Sequence, residues 1–255
     1  MMSILVDMHN QLLQVPGSSY TNEEETIRIL KSAADDGITH MIATPPFRYG
    51  DFVTDRMTIE SLVNSLNDRI VSLAIPITIL PGMEITLYEQ LARDLKVNAV
   101  PLADTNKYVL IVFQDNRIPP FALSVFFEIQ LMGYIPIIAN VERVQELMTN
   151  YQKILEFINR GALVHVSAAS IIGLNGRKTR EISVKLCKNG LVHFISSFSS
   201  GDEKRPSHLR GAYKYLERRI SPSTVKRFMG NTECVLQGTD FHSLTGKKHK
   251  KNRYK

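Results

Sequence analysis

Asp7 and His9, in the stretch ILVDMHNQ, leave a short apolar run two residues apart. In an extended strand alternate side chains share a face, so this spacing offers a carboxylate and an imidazole together. Such a pair is the opening of a divalent-metal site, where metal would acidify a bound water and clamp phosphoryl oxygens. The next donor at this spacing would stand at position 11, which is Gln11, a neutral amide. A metal-dependent hydrolase would place His, Asp and Glu after each further strand. The stretch ILPGMEITLY supplies Glu84, while the other exits hold Pro46, Val112, Asn140, Phe198 and Ser200. His9 and Glu84 are the two evident ligand types.

Other chemistries lack their residues. A cysteine-based phosphatase needs a thiolate with arginine six residues later, cradling phosphate at a helix start. Cys187 is followed at that spacing by His193, and Cys234 by Asp240. The TGKK stretch near the C-terminus has neither the upstream glycine nor the final hydroxyl of a phosphate loop. No Gly-x-Ser-x-Gly elbow is present. His40, His165 and His193 lie in or beside apolar runs and read as structural.

The elements that must position these residues alternate. Strands are predicted at Ile4–His9, His40–Thr44, Ile77–Glu84, Tyr108–Phe113, Ile135–Asn140, Leu163–Ser167 and Leu191–Ser196. They are short and rich in Ile, Val and Leu, as strands buried on both faces are. The stretch TNEEETIRILKSAADDG reads as a helix capped by Thr21 or Asn22, with acids in its first turn and Gly37 as its stop. TDRMTIESLVNSLNDRIVSL repeats the pattern. Further helices are predicted at Phe121–Met132, Asn150–Asn159, Thr179–Lys188, Pro206–Arg218 and Ser223–Met229. Strand then helix, about seven times over, argues for an α/β fold with a parallel sheet closed into a barrel, its chemistry at the C-terminal strand ends.

The chain of 255 residues has no Pro/Gly/Ser linker that would divide it, and 44% hydrophobic residues suffice for a core. One domain over residues 1–240 is expected, followed by a basic, disordered tail at 241–255. Of 31 basic residues against 25 acidic, six lie in Lys247–Lys255, so the remainder is formally neutral. The pI of 9.3 is therefore assigned to the tail, which suits an anionic membrane or an acidic protein surface or, equally, stays solvated with no partner, and not to a basic face on the domain. No nucleic-acid partner is expected. Two cysteines, no secretory signal and no apolar run of about 20 residues fit a cytoplasmic protein.

The ordered set VDMH, DGITHMIATP, ILPGMEITLY, KYVLIVF, LMGYIPIIANVER, LVHFISS and RPSHLRGAY resembles the capsule- and exopolysaccharide-biosynthesis tyrosine phosphatases, the CpsB/CapC/YwqE group of the PHP (polymerase and histidinol phosphatase) superfamily. The resemblance runs from VDMH to about FMGNTECVLQG. It implies a distorted (β/α)7 barrel, a cluster of divalent metal ions, usually manganese, and dephosphorylation of the bacterial tyrosine kinase that controls capsule assembly. It also matches phosphate-holding arginines to Arg143, in NVER, and Arg205, in EKRP. A guanidinium is a permanent cation whose planar fork suits phosphate.

By the same resemblance the metal ligands are depleted. The family's second histidine falls on Gln11, an aspartate on Ser18, a histidine on Pro46, a glutamate on Val112 and another histidine on Asn140. The closing Asp-x-His falls on Phe198 and Ser200. Only His9 and Glu84 stay as metal-ligand remnants, and no catalytic residue is assigned. Pairing of these two with each other or with backbone weighs above ligation. Two readings follow: a phosphatase of the capsule system, or a catalytically impaired relative that binds the kinase's phosphotyrosine tail or the assembly complex. For Arg143, pairing with Glu142 or a neighbouring helix stands beside phosphate binding.

Overall fold

A computed structural model describes residues 4–15, 22–49, 52–114, 117–198 and 207–240. Strand β1 (Val6–Asn10) leads to α1 (Glu23–Asp35). Strand β2 (His40–Ala43) leads to the two-residue strands β3 (Arg48–Tyr49) and β4 (Phe52–Val53) and then to α2 (Arg56–Ser72). The third predicted strand is two pieces, β5 (Thr78–Pro81) and β6 (Glu84–Thr86), with α3 (Leu91–Asn98) after them. Then come β7 (Tyr108–Val112), α4 (Ala122–Leu131), β8 (Ile135–Ile138), α5 (Gln145–Thr149) and α6 (Tyr151–Asn159). Strand β9 (Leu163–Ser167) is followed by α7 (Ala168–Ile172) and α8 (Arg177–Lys188). Strand β10 (Phe194–Ser196) is followed by α9 (Leu209–Arg219) and α10 (Pro222–Gln237).

Two parallel sheets, ordered β1-β2-β5 and β10-β9-β8-β7-β6, make up the barrel. They meet at two seams. At the first, β5 stays with β2 while β6 pairs with β7. An added Cβ on Gly82, between them, would stand 2.7 Å from Ile42 Cγ2 and 3.3 Å from the Ala43 carbonyl oxygen, so glycine is required for space. Pro46 bridges to Glu84 across this seam. At the second, the Phe198 amide donates to the His9 carbonyl at 3.0 Å. Seven strand positions therefore form a distorted (β/α)7 barrel in one domain.

Inside lies a small apolar cluster that includes Val6, Met8, Ile42, Leu110, Ile137 and Phe194; a larger one fills the space between strands and helices. Helix α10 covers the end where strands begin: Val235 joins the inner cluster, and Asn231 donates to the His193 carbonyl at 2.8 Å. It runs eight residues beyond the predicted Met229, because its last turns are held by this burial. The opposite end, where strands stop, is left for chemistry.

Candidate site at the barrel mouth

The two side chains of the Asp-x-His spacing lie near each other but take different partners. The register of β1 against β2 shifts between Asp7 and Asn10. Asp7 is fully buried against Ser197, accepting from its amide at 2.9 Å and from its hydroxyl. Burial pushes the Asp7 carboxyl up to about 6, against the hydrogen bonds from Ser197 and the nearby His9. His9 instead reaches Glu84, with Nε2 2.6 Å from Oε2. Its ring is wholly buried while the Glu84 side chain is 14% exposed. Glu84 is pinned by backbone: its amide donates to Pro45 at 3.0 Å and its carbonyl accepts from Phe47 at 2.8 Å.

Beyond these carboxyl groups, the ring of His9 meets aromatic neighbours. Phe198 lies 4.6 Å from its ring centroid and His165 lies 5.2 Å away, edge on. The Asn140 amide donates to His165 Nδ1 at 3.1 Å, which leaves the proton on Nε2 to donate to Ser196 Oγ at 2.5 Å. Burial, then the neighbouring His9, hold the His165 imidazole well below its ordinary range, so it is neutral at pH 7. Asn140 and Phe198 both adopt left-handed backbone, with φ of 49° and 52°. Asparagine tolerates this, but phenylalanine there is strained by crowding of its Cβ.

Arg143 sits on the rim, exposed, with its guanidinium 5.5 Å from the centroid of the Phe198 ring. The alternative pairing with Glu142 does not form. The turn Val141–Arg143 sends the two side chains apart. Glu142 Oε1 accepts from the Ser167 amide at 2.9 Å and from the Ser167 and Ser170 hydroxyls at 2.8 Å each. Burial raises the Glu142 carboxyl above its ordinary range. Among the described residues, no carboxylate forms an ion pair with Arg143.

The mouth thus gathers His9, Glu84, Asn140, Phe198 and Arg143, with Pro46 bridged to the Glu84 backbone. Ser18, Ser200, Arg205 and the Lys247–Lys255 tail lie outside the described residues. Among the described residues no group of three His, Cys, Asp or Glu side chains converges as a metal site. A manganese-type ion takes several charged oxygen or imidazole donors. One carboxylate, one imidazole and the neutral oxygens of Gln11 and Asn140 do not fit a cluster of such ions. Sequence reading missed the inward role of Glu142, although Ser167 and Ser170 at helix-cap spacing signal a polar turn beside it.

The family model described as "Capsular polysaccharide synthesis, CpsB/CapC" matches residues 5–237. The tyrosine-protein phosphatase YwqE of Bacillus subtilis is 28% identical, over 91% of this chain and 92% of its own. The tyrosine-protein phosphatase CpsB of Streptococcus pneumoniae is 21% identical, over 91% and 98%. A crystal structure from work on these two proteins, described as "unique metal-dependent tyrosine phosphatases", superposes with a TM-score of 0.88. It is 28% identical and the match covers 92% of this chain and 96% of that one. An organophosphorus hydrolase of Deinococcus radiodurans shares the fold alone, with a TM-score of 0.59 at 13% identity, over 91% of this chain and 92% of its own.

Proposed function

The chain belongs to the CpsB/CapC family of capsular polysaccharide synthesis, and we propose that it serves there by binding a phosphotyrosine-bearing partner without hydrolysing it. The partner in this reading is the bacterial tyrosine kinase of the capsule assembly system, met in the cytoplasm. The observation that carries the reading is the pairing of His9 with Glu84 at 2.6 Å beneath Phe198. The two retained ligand types satisfy each other, and an aromatic ring stands where the family places a carboxylate. The same ring supports Arg143. A guanidinium fork beside a half-buried aromatic ring offers a phosphate contact and an apolar contact for a phenyl ring. Arg205 is a second phosphate contact in this proposal, and the Lys247–Lys255 tail adds attraction to an anionic membrane.

The relatives' names favour a second reading, metal-dependent hydrolysis, with manganese as the ion that the family resemblance implies. It would require donors beyond His9 and Glu84. Metal analysis of the purified full chain, with turnover of a phosphotyrosine peptide in added manganese, separates the two. We expect binding of the peptide, no turnover above background, and far less than one equivalent of retained metal. Stoichiometric metal with turnover abolished by His9→Ala would overturn the non-hydrolytic reading. Arg143→Ala should weaken peptide binding about tenfold, as loss of a partly exposed charge-assisted contact does. Equal affinity in that variant would remove Arg143 from the site.

A further inference from the structure

Assignment of the whole charge excess to the tail is corrected by where the charges fall. Residues 1–176 hold 12 basic and 19 acidic residues, whereas residues 177–246 hold 13 and 6. The two parts differ in sign, so a near-neutral whole-body count hides a local excess of cations. Helix α8, RKTREISVKLCK, carries five cations and one acid; helix α9, LRGAYKYLERR, carries four and one. Both helices have buried apolar faces, so their cations are driven to the outer surface.

There they line a groove of about 520 Å³ on the barrel wall, walled by Arg177, Arg180, Lys185 and Lys188 from α8 and by Tyr215 and Arg219 from α9. On α8 these positions repeat at helical spacing, forming one stripe along the helix. Arg177 is paired with Glu181 at 2.8 Å, and the Arg219 guanidinium lies 5.5 Å from the centroid of the Tyr215 ring. Among the described residues, Arg180, Lys185, Lys188 and Arg219 form no ion pair with a carboxylate. Four cations held around one concave surface repel one another, and an anionic occupant relieves that repulsion.

We propose that this groove is a docking site for an extended acidic segment of a partner protein, separate from the barrel mouth. The twelve residues of α8 rise about 18 Å, the reach of about five extended residues. A short run of carboxylates or phosphorylated side chains therefore matches the stripe in length and charge. The shape argues against a lipid surface, which is met by convex helices that project large apolar side chains. Here the apolar floor, Val184 and Tyr215, is half-buried within the groove.

The test is fluorescence anisotropy of a labelled glutamate-rich peptide of about eight residues, titrated with the full chain at low and at physiological salt. The variant Arg180→Glu/Lys185→Glu/Lys188→Glu should weaken binding about tenfold or more. Its glutamine counterpart should weaken binding less. Reversal of two exposed cations elsewhere, Arg93→Glu/Lys96→Glu on α3, should change affinity less than twofold or so. Parent affinity should fall as salt rises. No binding by the parent overturns the proposal, as does parent-like binding by the reversed variant. So does loss of binding on Lys247→Gln/Lys248→Gln/Lys250→Gln/Lys251→Gln, which would place the contact on the tail. Groove-dependent binding to phosphatidylserine vesicles without peptide binding would assign the face to membrane instead. Arg143→Ala should leave acidic-peptide affinity unchanged, so failure here and failure at the mouth are read separately.

Discussion

At the scale of single residues, the buried polar groups set the pH response. Asp7 holds its proton to about pH 6 in the folded chain, whereas an unfolded aspartate loses it near 3.9. Between those values the folded state binds more protons, so stability falls as pH rises from about 4 to 6, by about 3 kcal/mol at most. His165 acts in the opposite direction. Its folded imidazole stays neutral, so the unfolded state gains a proton below about pH 6.5 and stability falls on acidification. Asp7→Asn keeps an acceptor for the Ser197 amide and leaves His165 in place, so it isolates the first effect. Denaturant titrations should show the variant gaining on the parent as pH rises from 4 to 7; a constant difference would rule out Asp7 as the source. The pairing of His9 with Glu84 was legible in sequence because histidine and glutamate after strands are conspicuous. The capture of Asp7 by Ser197 was not, because that contact is made only when the last strand closes against the first and leaves no mark in the spacing.

At the scale of elements, the starts of α1 and α2 were legible, whereas α8 begins at Arg177, before the expected Thr179, and α9 at Leu209, the expected Pro206 lying outside the described residues. Asn22 accepts from the Glu25 amide at 2.8 Å and Asp55 from the Thr58 amide at 2.7 Å, the arrangement their residue types favour. Strand runs of Ile, Val and Leu were equally clear, and Leu163–Ser167 matches residue for residue. The split of the third strand was hidden, since ITILPGMEIT reads as one apolar run although its halves belong to different sheets. Helix α3 was missed because eight residues with mixed periodicity are too few for a helical signal. Gly82 makes the split possible by admitting Ile42 and Ala43 to close range. Gly82→Ala should therefore lower stability by about 1–3 kcal/mol, the usual cost of overpacking a tight contact, measured by chemical denaturation. A neutral result would mean that the seam opens freely to admit a methyl group.

At the scale of the whole molecule, closure is what makes two sheets one barrel. A free sheet edge exposes unpaired amides and carbonyls, and closing the barrel removes that liability. Here closure depends on few bonds: the Pro45–Glu84–Phe47 contacts at one seam and the Phe198–His9 bond with the Ser197–Asp7 pair at the other. His9, Glu84 and Phe198 also belong to the mouth, so the proposed binding site and the bonds that close the barrel coincide. Segments of low local stability are where binding surfaces are commonly drawn from. Helix α10 counters this by tying the opposite end of both sheets, packing Val235 against the inner cluster and holding His193 through Asn231. With that plug in place the two sheets should unfold together. Native-state hydrogen exchange should then give amides of β2 and β8 the same opening free energy, because each opens only when the barrel does. Ser197→Ala should remove the hydroxyl contact to Asp7 and raise exchange at β1 and β10 first, leaving β7 and β8 protected. Independent exchange of β1, β2 and β5 in the unaltered chain would show instead that the three-stranded sheet is a separate cooperative unit, and that the seams join two bodies and do not close one.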